Sequence, residues 1–156
     1  MSLYAAFQGL EALGLSQTIR ESVWLFPAIE AVHLLALAVL GGAILIVDLR
    51  LMGAGLTAQP AGEVERAARP WFLGALATML VTGISIGLSE AVKLHDKPAF
   101  WVKMSALALA LVFSLGFRGR LAARVPAGSP AAWAVAIVSL SLWFTVALAG
   151  RWIGFS

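Results

Sequence analysis

Residues 22–47 read SVWLFPAIEAVHLLALAVLGGAILIV, and apart from Glu30 and His33 every residue of this run is apolar or small. As a helix it extends about 39 Å at 1.5 Å per residue, more than the ~30 Å hydrocarbon core of a bilayer. The run is therefore read as a membrane-spanning helix that tilts or overhangs. An ionisable side chain at bilayer depth costs at least a few kcal/mol on insertion scales. Glu30 and His33, three residues apart, lie on one helical face. A helix that merely packed would place Leu or Ala there, so the pair marks the candidate site.

The rest of the chain fits the same solvent. Of its 156 residues 61% are hydrophobic and 12% charged, against a typical ~25% charged for soluble domains. Mean hydropathy is +0.93. One integral membrane domain over residues 1–156 follows. The formal charge of +3 is small and dispersed over the loops, which excludes nucleic acid as a partner and leaves the lipid bilayer. The absence of cysteine removes thiolate zinc, iron–sulfur clusters, covalent c-type haem and disulfides. No basic n-region precedes the first apolar stretch, so no cleaved signal peptide is expected.

Four spans are expected, at about 22–47, 71–92, 99–117 and 131–149. Short connections make them an antiparallel up-down bundle, an all-α membrane fold. A short amphipathic helix on the membrane surface precedes it, with Leu3, Phe7, Leu10 and Leu13 near one face. Thr18 and Glu21 have the spacing of a capping box for the first span. Asp48 and Arg50 are read as closing that span at the far interface, and Gly53–Pro70 as a polar connector with a short helix around Gly62–Arg69. Gly83 and Gly87, with Ser85 and Ser89, have spacings that let helices approach closely.

Orientation follows from Lys and Arg. The loops after spans one and three hold Arg50, Arg66, Arg69, Arg118, Arg120 and Arg124; the other side holds Arg20, Lys93, Lys97 and Arg151, with Lys103 just inside a span. The expected location is a bacterial inner membrane with both termini and the His95 loop outside the cytoplasm. Trp24, Trp71, Trp101 and Trp152 fall near span ends, as an interfacial aromatic belt would.

Helix rise places Glu30 roughly 7 Å and His33 about 12 Å below the outer boundary, with Lys103 near the depth of Glu30. Glu30 with Lys103 is the most economical ion pair, each offsetting the other's desolvation. Glu90 and Arg151 end their spans on the same side. The candidate ligand-binding set is Glu30, His33, Lys103 and Arg151, with His33 as a haem or metal ligand. A di-iron site needs a second Glu-x-x-His and two more carboxylates, which the chain lacks. A bis-histidine haem needs a second imidazole, and the only other histidine, His95, lies in a loop. Single-histidine ligation, or a haem shared across a homodimer, stays open. So does a quinone, with Glu30 and His33 relaying protons beside it. Asp48, Arg50, Arg118 and Arg120 at the cytoplasmic ends are read as headgroup-level charges, with Asp48 and Arg118 pinning spans one and three.

Four strings carry a resemblance: residues 19–33, 47–51, 98–104 and 150–153 (IRESVWLFPAIEAVH, VDLRL, PAFWVKM and GRWI). On these the chain resembles an uncharacterised bacterial family of small four-span membrane proteins, which implies membrane location but no activity. More remotely, His33 in the first span and Lys103 opening the third are similar to HemJ-type protoporphyrinogen oxidases and to CopD-type membrane domains. The HemJ similarity implies His33 as a haem or porphyrin contact and Lys103 as a partner for propionate. HemJ-like sequences commonly carry a histidine two residues before that lysine, where this chain has Trp101. Three readings stand: a haem, porphyrin or quinone protein in electron or proton transfer; a small transporter or metal-handling component; and a structural membrane subunit without a site. A homodimer or a larger membrane complex is the expected assembly.

Overall fold

The computed structural model describes residues 3–155. Two short helices, α1 (Leu3–Glu11) and α2 (Gly14–Glu21), precede the long α3 (Leu25–Leu51). Then come α4 (Ala61–Ser89), the one-turn α5 (Ala91–His95), α6 (Pro98–Phe113), a π-helical turn at Ser114–Arg118, α7 (Gly119–Arg124) and α8 (Pro130–Ile153). Helix α6, the π turn and α7 form one continuous rod, so four helices are long and apolar enough to cross a membrane. Four crossings put both termini on one side, called here the terminal side; the other is the loop side.

The helix ends differ instructively from the sequence reading. Thr18 does not cap α3: it lies inside α2 and its hydroxyl donates to Gly14 O at 2.9 Å. Ser22 serves instead, accepting from Leu25 N at 3.1 Å, while Pro27 falls in the first turn, where its missing N–H is not needed. The connector before the second span is largely helix. Helix α4 runs unbroken through Pro70, because a single lost backbone bond is outweighed when the flanking turns bury Ala61, Val64, Ala68, Phe72, Ala75 and Leu76. The first helix ends at Leu51 with Arg50 in its last turn, as expected.

Helix α3 packs on α4 and α8, α6 on α8, and α7 on α4. On the loop side the bundle is closed: Gly62 sits so near α7 that a Cβ there would come within 3.2 Å of Ala123 Cα. The loops also meet, with Gly128 N donating to Leu51 O at 2.8 Å. Gly53 and Gly128 both have positive φ, and a Cβ on Gly53 would lie 3.3 Å from Gly128 Cα. On the terminal side α1 lies against α5 and touches α4, and α2 packs on α4 and α3. Alanine dominates the buried apolar positions. In lipid no hydrophobic force draws helices together, so small residues that permit close van der Waals contact hold the bundle. Leu35, Val81, Ile84, Leu109, Val112 and Leu148 face outward, as lipid contact requires. The four tryptophans expected in the interfacial belt are all exposed.

The terminal side is tied together by polar contacts of long sequence range. Glu11, at the end of α1, accepts from Val92 N at 2.9 Å and pairs with Arg20 at 2.6 Å. One carboxylate thus satisfies an orphan donor of α5 and fixes α2 to α1. Lys97 Nζ donates to Ile153 O at 2.6 Å, joining the α5–α6 connection to the end of α8.

Candidate functional site

His33 projects from α3 onto α4, where Gly83 makes room for it: a Cβ on Gly83 would lie 3.2 Å from His33 Cε1. That is the use of Gly83, which seats an imidazole ring against the helix. His33 Nδ1 is 2.7 Å from Thr82 Oγ1. Thr82 Oγ1 is also 2.6 Å from Thr78 O; when its proton goes to that carbonyl, the threonine accepts from the ring. In that arrangement neutral His33 carries its proton on Nδ1, and Nε2 keeps a free lone pair. A ring held by Nδ1–H with Nε2 unprotonated is the arrangement of a metal- or haem-ligating imidazole, or of a proton acceptor.

Lys103 enters from α6. It crosses Gly150 of α8, whose missing Cβ would sit 3.5 Å from both Cε and Nζ, so a glycine again makes the space. His33 and Lys103 are both half-buried. Lys103 and Glu30 both lie near enough to act on His33 electrostatically. Glu30 and Lys103 nevertheless form no salt bridge among the described residues; Glu30 is exposed on the flank of its helix. The expected pair is thus a shared neighbourhood rather than a contact, since the two side chains approach His33 from different helices. Arg151 is not brought to this group. It lies exposed at the end of α8 with its guanidinium 4.4 Å from the centre of the Phe155 ring.

His95 is engaged elsewhere. Its ring meets Tyr4, Phe7 and Trp101 edge-on at 5.2 to 6.4 Å, and Nδ1 is 2.8 Å from Asp96 Oδ1. Glu90 pairs with Lys93 at 3.2 Å. Among the described residues no group of three or more His, Cys, Asp or Glu could hold a metal ion. An imidazole with one free nitrogen has the donor chemistry to hold a haem iron. A groove of about 610 Å³ lies on the loop-side half between α3 and α4, lined by Val39, Ala43, Val64, Ala68, Trp71 and neighbours, and is not part of this group.

A second polar cluster, on the loop side, departs from the sequence reading. Asp48 and Arg118 do not sit among headgroups; they are 0% and 2% exposed. Their closest approach, Asp48 Oδ1 to Arg118 Nη1, is 3.7 Å, too long for a direct hydrogen bond. Ser139 of α8 is 0% exposed and Glu65 of α4 is 8% exposed. The Arg118 guanidinium lies 5.5 Å from the Phe72 ring, which meets Trp143 edge-on at 5.9 Å; Trp143 Nε1 donates to Ser114 Oγ at 3.1 Å. A signal was present in sequence: Asp48 falls in the buried stripe Leu40, Ile44, Val47, Leu51, at helical spacing.

The chain belongs to DUF6644, a family of unknown function, which it matches over residues 22–156. Helices α1 and α2 precede the matched region. No curated protein and no solved structure matches the chain, so these comparisons add no support to the similarity with HemJ-type oxidases or CopD-type domains.

Proposed function

We propose that this multi-pass membrane protein holds a redox ligand, a haem or porphyrin first and a quinone second, at His33 in the terminal-side half of its bundle. The observation that carries the reading is the orientation of His33: Thr82, its own proton spent on Thr78 O, takes the Nδ1 proton and leaves Nε2 free. A structural histidine would use both nitrogens on the protein. Haem bound here would supply one-electron transfer. His33 would hold it through Nε2, with Lys103 as the cation for a propionate. For a quinol the same lone pair would accept the hydroxyl proton, with Glu30 as the next acceptor. A second imidazole lies outside this set, which leaves a haem held by one histidine or shared by two copies of the chain. Positive charge on the loop side supports a cytoplasmic loop side in a bacterial inner membrane, with His33 toward the outside.

The test is an absorption spectrum of the detergent-purified protein, oxidised and reduced, with quinone extraction from the same sample. A Soret band, or a co-purifying quinone, that disappears in His33→Ala while the protein remains folded is the expected result. Neither chromophore in wild type, from cells able to make both, would overturn the reading.

A further inference from the structure

The groove on the loop-side half of the bundle has no part in the His33 site. Its floor is Ala43 of α3 with Val64 and Ala68 of α4, all buried, and the exposed Val39, Ile46 and Trp71 form its rim. Gly42 keeps it open, since a Cβ there would meet nothing within 4 Å. The volume of about 610 Å³ lies within the ~300–1,000 Å³ of ligand-binding clefts. Helices α3 and α4 run antiparallel, so Val39 and Trp71 mark the end towards the bilayer middle, and Ile46, Gln59 and Glu63 the end at the loops. At that loop end each helix closes its apolar stripe with a charge. Val39, Ala43, Ile46 and Arg50 follow one face of α3, and Glu63, Ala67 and Trp71 one face of α4. Arg50 Nε donates to Gln59 O at 2.6 Å. Neither the Arg50 guanidinium nor the exposed Glu63 carboxylate forms an ion pair among the described residues.

We infer that this groove is a binding site for one phospholipid of the loop-side leaflet, whose headgroup carries a phosphate and a primary ammonium, as phosphatidylethanolamine does. The apolar length of the groove opens sideways to lipid and takes an acyl chain between α3 and α4. Its loop end meets the headgroup with one charge of each sign. Arg50 supplies the guanidinium, whose planar fork suits a phosphate. Glu63 supplies the acceptor for an ammonium, with the Gln59 side-chain carbonyl beside it in the lining. An anionic headgroup without an amine would meet Glu63 as a like charge. A choline headgroup has the positive charge but no N–H to give a carboxylate. Its quaternary ammonium would favour an aromatic face, and the ring in this groove, Trp71, stands at the opposite end from the charges.

Native mass spectrometry of the full chain, released from mild detergent and titrated with single synthetic lipids of matched chains, tests this. Wild type should retain one phosphatidylethanolamine in preference to phosphatidylglycerol and phosphatidylcholine. Gly42→Leu fills the groove and should lose the lipid. Gly41→Leu, equally open at Cβ but outside the lining, should keep it. Neither substitution meets a neighbour at Cβ, so the fold tolerates both. Arg50→Gln should weaken phosphatidylethanolamine and phosphatidylglycerol alike, by about tenfold, the scale of one hydrogen bond to a charged group. Glu63→Gln should weaken phosphatidylethanolamine by a similar factor and leave phosphatidylglycerol no weaker. If Arg50→Gln fails to fold, Gly42→Leu and Glu63→Gln decide. Gly42→Leu binding lipid as wild type does would overturn the site. Wild type preferring phosphatidylglycerol, or showing no preference, would overturn the headgroup assignment. A dimer that Gly42→Leu dissolves would make the groove a seam between two copies of the chain and overturn the lipid altogether.

Discussion

At the residue scale the His33 site hangs on one hydroxyl. Thr82→Val keeps the shape and removes the acceptor for Nδ1–H, so the ring loses its fixed tautomer. Outer-partner mutations of this kind typically weaken ligand affinity about 10- to 100-fold, and the expected outcome is a loss of that size in retained haem or quinone, read from the absorption spectrum and extract. Thr82→Ser should restore it. Gly83→Ala tests the seat itself, since its methyl would meet His33 Cε1 at 3.2 Å. The ring must shift, and the same assay should show reduced retention with little change in thermal unfolding. His33, Glu30 and Lys103 were legible as unexplained polar groups inside spans. Thr82 was not, because a threonine in a membrane helix is ordinarily satisfied by the preceding turn, as it is here through Thr78 O. Only the fold shows that its oxygen has a second duty.

At the element scale the π turn Ser114–Arg118 adds a residue to the rod that continues into α7. Such turns redirect the side chains that follow and recur at functional sites. Here the turn brings Ser114 to Trp143 and Arg118 to Asp48 and Phe72. Deleting Gly116 should restore plain α-helix and rotate Arg118 by about 100°, one residue's turn. Breaking a buried ion pair by removing one partner costs about 3–5 kcal/mol, so a large fall in thermal stability in detergent is expected. An unchanged melting temperature would show the turn to be dispensable. The apolar runs made the four helices readable, and their order and antiparallel packing followed from short connections. The π turn and the run of helix through Pro70 were not readable. Both are backbone outcomes of tertiary contact, and Pro70 in particular signals a stop that only the buried face of α4 overrules. Asp48 and Arg118 were misplaced for a related reason: charge near a span end normally means headgroups, and nothing local says that the end of this helix is packed on every side.

At the scale of the whole molecule the two polar clusters occupy opposite halves of the bundle, and which faces the cytoplasm sets the direction of any proton or electron movement. Burial of Arg118 in a cluster removes it from the charge that decides orientation, leaving Arg50, Arg66, Arg69, Arg120 and Arg124 on the loop side. Yet the case for that side being cytoplasmic gains from the pairing pattern. On the terminal side Arg20 is held by Glu11, Lys93 by Glu90 and Lys97 by Ile153 O, which leaves Arg151, exposed against the Phe155 ring, as the exception. On the loop side Arg66, Arg69 and Arg124 are exposed and form no ion pair among the described residues. Cations not engaged within the protein are the ones free to stay with anionic headgroups on the cytoplasmic face. A chain without cysteine makes the check clean, because any introduced thiol is the only one. Thr57→Cys on the loop side and Ala12→Cys on the terminal side are both at exposed positions. In intact spheroplasts a membrane-impermeant maleimide should label Ala12→Cys at once and Thr57→Cys only after the membrane is opened. The reverse pattern would turn the molecule over, placing His33 toward the cytoplasm and the Asp48 cluster toward the outside.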